Sequence, residues 1–110
     1  MVKTERTYSL YTCDAAVLLG KYIQLGRKQR RLTERELAER AGISRATLQK
    51  IEKGDLKVEI GIVFETAALV GVKLFETDGR FTQSISAVND KLALLPKNVR
   101  KSLPKVDDAF

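Results

Sequence analysis

The sequence predicts an all-α fold of about five helices with a C-terminal extension, and three observations lead there. Apolar residues recur at three- and four-residue spacing in five separate stretches. Capping residues and glycines stand where most of those stretches begin and end. Strand-like alternation is confined to two short pieces, Tyr8–Tyr11 and Val72–Glu76, the second leaving room for one short strand.

In chain order, residues 1–13 read as a mixed polar arm in which Tyr8, Leu10 and Tyr11 alternate. Asp14 is a suitable N-cap for a first helix carrying Val17, Leu18, Leu19, Tyr22, Ile23 and Leu25. That helix ends in the basic run Arg27-Lys28-Gln29-Arg30-Arg31. Thr33 followed three residues later by Glu36 is a capping-box signature, so a second helix starts there and closes at Gly42. Ser44 caps a third helix that runs to about Lys53 and stops at Gly54. After the loop Asp55-Leu56-Lys57, the residues Ile60, Val63, Phe64, Ala67, Ala68 and Val70 make a fourth helix closed by Gly71. Asp78-Gly79 is a turn, and Ile85, Val88, Leu92 and Leu95 share one face of a last helix. Pro96 and Pro104 bracket a basic tail ending Asp107-Asp108-Ala109-Phe110, suited to ordering against a partner. The expected organisation is an arm over 1–13, a core domain over 14–76, and a helix and tail over 77–110.

Composition narrows the functional classes. A chain of 110 residues supports one core, and no apolar run nears the ~18 residues of a membrane span. With no signal peptide evident, a cytoplasmic protein is expected. The single cysteine, Cys13, makes neither an internal disulfide nor a cysteine metal cage, and no cofactor is expected. Histidine is absent, removing the commonest general base and metal ligand. Phosphate-binding loops, dinucleotide fingerprints and nucleophile elbows are absent too, so an enzyme is not expected. A net charge of +6 favours a polyanionic partner, though charge alone identifies none.

The specific signal is the run from Leu32 to Gly54. Two short helices joined by a tight turn must cross closely. Ala38 supplies a small side chain at the crossing, and Gly42 accepts the turn. Leu37, Ile43, Leu48 and Ile51 fall where a shared core needs apolar groups. A plain amphipathic helix pair would need none of this joint spacing, which favours a helix-turn-helix.

The same residues resemble the Xre/Cro-type helix-turn-helix family, whose pattern is L-[ST]-Q-x-x-L-A-x-x-x-G-[VI]-S-x-x-x-[IL]-x-x-[IF]-E-x-G. Residues 19–71 fit it throughout, with one departure: Glu34 stands where the family often has a phosphate-touching Gln. A carboxylate repels phosphate, so that contact is not carried over, and Glu34 suits the helix N-terminus instead. The resemblance implies a lambda-repressor-like domain. A softer likeness, over Asp55–Val72, Leu94–Arg100 and the acidic-aromatic ending, is to HipB-like antitoxins. Those proteins repress an operon shared with a HipA-type serine/threonine kinase.

In such a fold the third helix enters the major groove. Ser44, Arg45, Ala46, Thr47, Gln49 and Lys50 are then the base-reading candidates: Arg45 for guanine, Gln49 for adenine, Ala46 for a thymine methyl. Thr47 is placed to face either the DNA or the capping turn. Arg27, Lys28, Arg30, Arg31, Arg35, Lys53 and Lys57 are the phosphate candidates, some of them simply solvated cations. Glu36, Glu39 and Glu52 are expected to pair with neighbouring arginines. A domain this small reads few base pairs, so a homodimer on a palindromic operator is expected. Val70, Val72, Leu74 and Phe75 are the proposed interface, pairing strand edges across it, although the fourth-helix residues suit the chain's own core better. Asp107, Asp108 and Phe110 form a candidate kinase-docking tail. The expected function is an operon-autoregulating repressor and kinase-neutralising antitoxin. The alternatives are a stand-alone Xre- or phage-type repressor and a mainly protein-binding module.

Overall fold

Ser9, rather than Asp14, starts the first helix: its hydroxyl accepts from the Thr12 amide at 3.2 Å. In the computed structural model, which describes residues 6–77 and 80–101, the chain is five helices: α1 Leu10–Gln29, α2 Glu34–Ala41, α3 Arg45–Glu52, α4 Ile60–Leu69 and α5 Phe81–Ala93. The alternation of Tyr8, Leu10 and Tyr11 is therefore an extra helical turn, with Leu10 and Tyr11 82% and 84% exposed. The short strand expected over Val72–Glu76 is not formed. Those residues are irregular and bent, and the described residues contain no strand. None of the described helices is long and apolar enough to cross a membrane.

The chain divides into two compact units, residues 1–75 and 76–110. In the first, α2 packs against α3 and α4 while α1 packs against α3. Ile23, Leu37, Ala38, Leu48, Ile51, Ala67 and Val70 form the buried core. Ile23, Leu37 and Leu48 are wholly enclosed, and burial of each contributes about 1.5–3 kcal/mol. Val70 belongs to this core at 2% exposure, so it is not an interface residue. Val72 and Leu74 are partly buried against the same core. Phe75 alone of the expected dimer patch is mostly exposed, at 60%.

Two glycines allow the close crossing of α1 and α3. A Cβ on Gly20 would lie 2.6 Å from the Ile51 carbonyl oxygen, and one on Gly54 would lie 2.8 Å from the Val17 backbone. Any side chain at either place would push α1 off the end of α3. Gly54 also holds φ at +84°, the left-handed turn that ends α3. In the second unit, α5 is an amphipathic helix with no buried residue.

Candidate nucleic-acid interface

The caps of α2 and α3 orient the two helices of the motif. Thr33 and Glu36 form a reciprocal capping box: the Thr33 hydroxyl accepts from the Glu36 amide at 3.0 Å, and the Glu36 carboxylate accepts from the Thr33 amide at 2.9 Å. The Thr33 backbone amide first, and then the Thr33 side chain, hold the Glu36 carboxyl below its ordinary value. Glu36 is thus a capping residue rather than an arginine partner. Gly42, at φ +71°, turns the chain into α3. The Ser44 hydroxyl then accepts from the Thr47 amide at 3.0 Å and donates to the Thr47 hydroxyl at 2.9 Å. Both side chains therefore serve the cap in the free protein, leaving the first turn of α3 fixed in direction.

Helix α3 divides cleanly by face. Leu48 and Ile51 enter the core. Arg45, Ala46 and Lys50 are exposed and Gln49 is half-buried, all on the outer side. This is the geometry that lets a helix rest in a groove about 12 Å wide and offer side chains to base edges.

Glu34 occupies a place on this face that the sequence does not reveal. From the first turn of α2, its carboxylate accepts from Gln49 Nε2 at 3.0 Å and from Arg45 Nη2 at 3.3 Å. The Gln49 bond first, then Arg45, draws the Glu34 carboxyl below its ordinary value against partial burial. One oxygen thus holds two of the expected base-reading side chains. The departure from the family pattern at this position was the available signal.

The cations expected to meet phosphate fall into two groups. Arg27 is a correction. It is 6% exposed, and its guanidinium donates to both Glu52 carboxylate oxygens, at 2.8 and 3.1 Å, and to the Leu32 carbonyl at 3.1 Å. The bond to Glu52 raises its pKa further against the cost of burial and ties α1 to the end of α3. Nothing of Arg27 is left to meet DNA. Arg30 donates to the Val70 carbonyl at the end of α4, so it too acts within the fold. Lys28, Arg31, Arg35, Lys53 and Lys57 remain exposed around the motif. Arg35 approaches Glu39 only loosely, at 3.8 Å between two exposed side chains, a pair worth little. Arg31 is the one described non-glycine residue with positive φ, at 56°, and sits where helix α1 hands over to the motif. Asp107, Asp108 and Phe110 lie outside the described residues.

Capped helices α2 and α3, a tight left-handed turn between them and an outward polar face on α3 together define the motif. Residues 23–76 match the helix-turn-helix family model. Neither a curated protein nor a solved structure matches the chain. The helix-turn-helix match begins inside α1 and ends past α4, leaving outside it most of α1, residues 10–22, and all of α5. A helix-turn-helix domain of this kind is a DNA-binding regulatory domain. Among the described residues no group of three His, Cys, Asp or Glu side chains is arranged to hold a metal ion.

Proposed function

We propose that this chain is a sequence-specific transcriptional repressor that binds a palindromic operator as a homodimer, with α3 in the major groove. The observation that carries this reading is the outer face of α3, where Arg45, Ala46, Gln49 and Lys50 stand together on a helix fixed by its cap and core. Arg45 matches guanine O6 and N7, Gln49 matches adenine, and Ala46 suits a thymine methyl. Ser44 and Thr47 contribute by holding the helix start, with their hydroxyls within reach of the same groove. Lys28, Arg31, Arg35, Lys53 and Lys57 supply phosphate contacts that fix register.

The finer reading is that the repressor controls its own operon and neutralises a HipA-like kinase through its C-terminal tail. It is supported by the sequence likeness at 55–72, at 94–100 and in the Asp107-Asp108-Ala109-Phe110 ending. An acidic ending has no logic for DNA and suits a basic protein groove.

Fluorescence anisotropy with DNA from upstream of the gene, beside scrambled DNA at several salt concentrations, tests the DNA half. The expected result is a preference of ~1000-fold or more that weakens steeply with salt. Equal, weak binding to both sequences contradicts it. Removal of residues 96–110 should leave DNA affinity intact and weaken kinase binding; loss of DNA affinity would contradict this division of labour.

A further inference from the structure

Helix α1 has two apolar sides. One, bearing Gly20, Ile23 and Gly26, is buried in the core. The other carries Tyr11, Ala15, Leu18, Tyr22 and Leu25, at steps of four, three, four and three residues. These residues are exposed; the four larger ones are 84%, 52%, 51% and 51% accessible. A helix face at that spacing forms a straight seam that accepts another helix. Helix α5 carries the same spacing at Phe81, Ile85, Val88 and Leu92, and Leu95, two residues past its end, continues it; all five are 49–62% exposed. The two seams share one sequence spacing, 4-3-4-3, centred on Leu18 and on Val88, four of the five positions of the second lying within α5.

The surroundings favour a helix as occupant. Beside the α1 seam lie two concavities of about 360 and 410 Å³, the first between α1, the loop after α3 and α4, the second between α1 and the residues that follow α4. The first is walled by Ala15, Leu19, Val63 and Phe64, the second by Tyr22, Leu25, Val70 and Val72. Large apolar side chains of an incoming helix would fill such sockets. Helix α5 carries only two charges, Asp90 and Lys91, so little desolvation opposes its burial. Most of the α1 seam and all of α5 also lie outside the helix-turn-helix match, as additions to the common domain.

Area argues for a second copy of this chain. Each seam offers on the order of 450 Å² of exposed apolar surface, the size of the largest and often functional apolar patch on a monomer. If two chains pair reciprocally, four seams are covered, roughly 1,800 Å², which is the size of a stable interface. We propose that the α5 seam of each chain packs on the α1 seam of a second copy, giving a two-fold dimer through α1 and α5 in place of residues 70–75. The inference rests on the dimeric part of the function proposed above and names its surface.

The central positions meet whether the helices run parallel or antiparallel, which sets the test. Leu18→Lys and Val88→Glu are made separately and studied by sedimentation velocity at micromolar concentration. The wild-type chain should be a dimer, each variant a monomer with at least 100-fold weaker self-association, and the equimolar mixture a dimer again. Recovery in the mixture also shows that neither variant is misfolded. A monomeric wild type overturns the proposal. So does dissociation by only one of the two substitutions, or a mixture that stays monomeric. The same samples are titrated with operator DNA. A dimer that binds no DNA refutes the regulator while leaving the seams paired; a DNA-binding monomer does the reverse.

Discussion

Glu52→Ala should be among the most destabilising single changes in this chain. Arg27 and Glu52 have side chains only 7% and 6% exposed, joined by two bonds of 2.8 and 3.1 Å. Truncating Glu52 leaves the guanidinium in a site closed to water with one remaining acceptor, the Leu32 carbonyl. Removing one partner of a buried pair costs about 3–5 kcal/mol, because the other charge stays buried and uncompensated. A small domain has only ~5–15 kcal/mol to lose. At ~4–8 °C per kcal/mol, the melting midpoint should fall by roughly 12–40 °C. Urea and thermal unfolding followed by circular dichroism measure this, with an unchanged urea slope showing that the same surface is exposed. The double variant Arg27→Met/Glu52→Leu removes both charges and should return to within about 1 kcal/mol of the parent. A loss below ~1 kcal/mol for Glu52→Ala, the range of exposed pairs, would refute the burial argument.

Other substitutions separate stability from recognition. Glu34→Gln removes the carboxylate that bonds both Arg45 and Gln49; competition assays should show roughly 3- to 10-fold tighter binding to scrambled DNA and poorer discrimination, consistent with losing one like charge near phosphate. Unchanged binding to both sequences would remove Glu34 from the DNA face. Arg31→Gly should raise stability by about 1 kcal/mol, since an L-residue in the left-handed region carries strain that glycine lacks. The same variant should bind DNA more weakly with a shallower salt slope if Arg31 meets a phosphate; a more stable protein with unaltered salt dependence assigns it no such contact. Acid should weaken the motif. Glu34 and Glu36 both titrate below their ordinary value when folded, so their contribution is present above the unfolded carboxyl value and is lost as pH falls through the folded one. Glu36→Ala should flatten that acid limb, and an identical limb in the variant would place the acid sensitivity elsewhere.

The central motif was legible because its determinants are local. Thr33 with Glu36, Gly42, and Ser44 before Leu48 each fix a backbone position within three or four residues of themselves, and the structure keeps all of them. Arg27 was not legible as a core residue, since a basic run next to a predicted groove reads as solvated charge. Its spacing from Gly20 and Ile23, which puts it on the buried side of α1, was the signal present. Its partner Glu52 lies 25 residues away, beyond what periodicity can pair. The start of α1 was missed because Tyr8, Leu10 and Tyr11 alternate, while the extra turn buries nothing in the core. Val72–Glu76 carries strand-like residues, but Val72 and Leu74 spend them packing on the core beside α4. That is tertiary context overriding propensity.

Selection of the chain's preferred sites from a random duplex DNA library tests the central claim most directly. The account predicts an enriched, two-fold symmetric sequence with half-sites about one helical turn (~34 Å) apart. It also predicts that Arg45→Ala relaxes the preference at a guanine position in each half-site, by ~1–3 kcal/mol. A library that emerges unenriched, or an enriched site that Arg45→Ala and Gln49→Ala leave unaltered, would contradict the assignment of α3 as the reading helix.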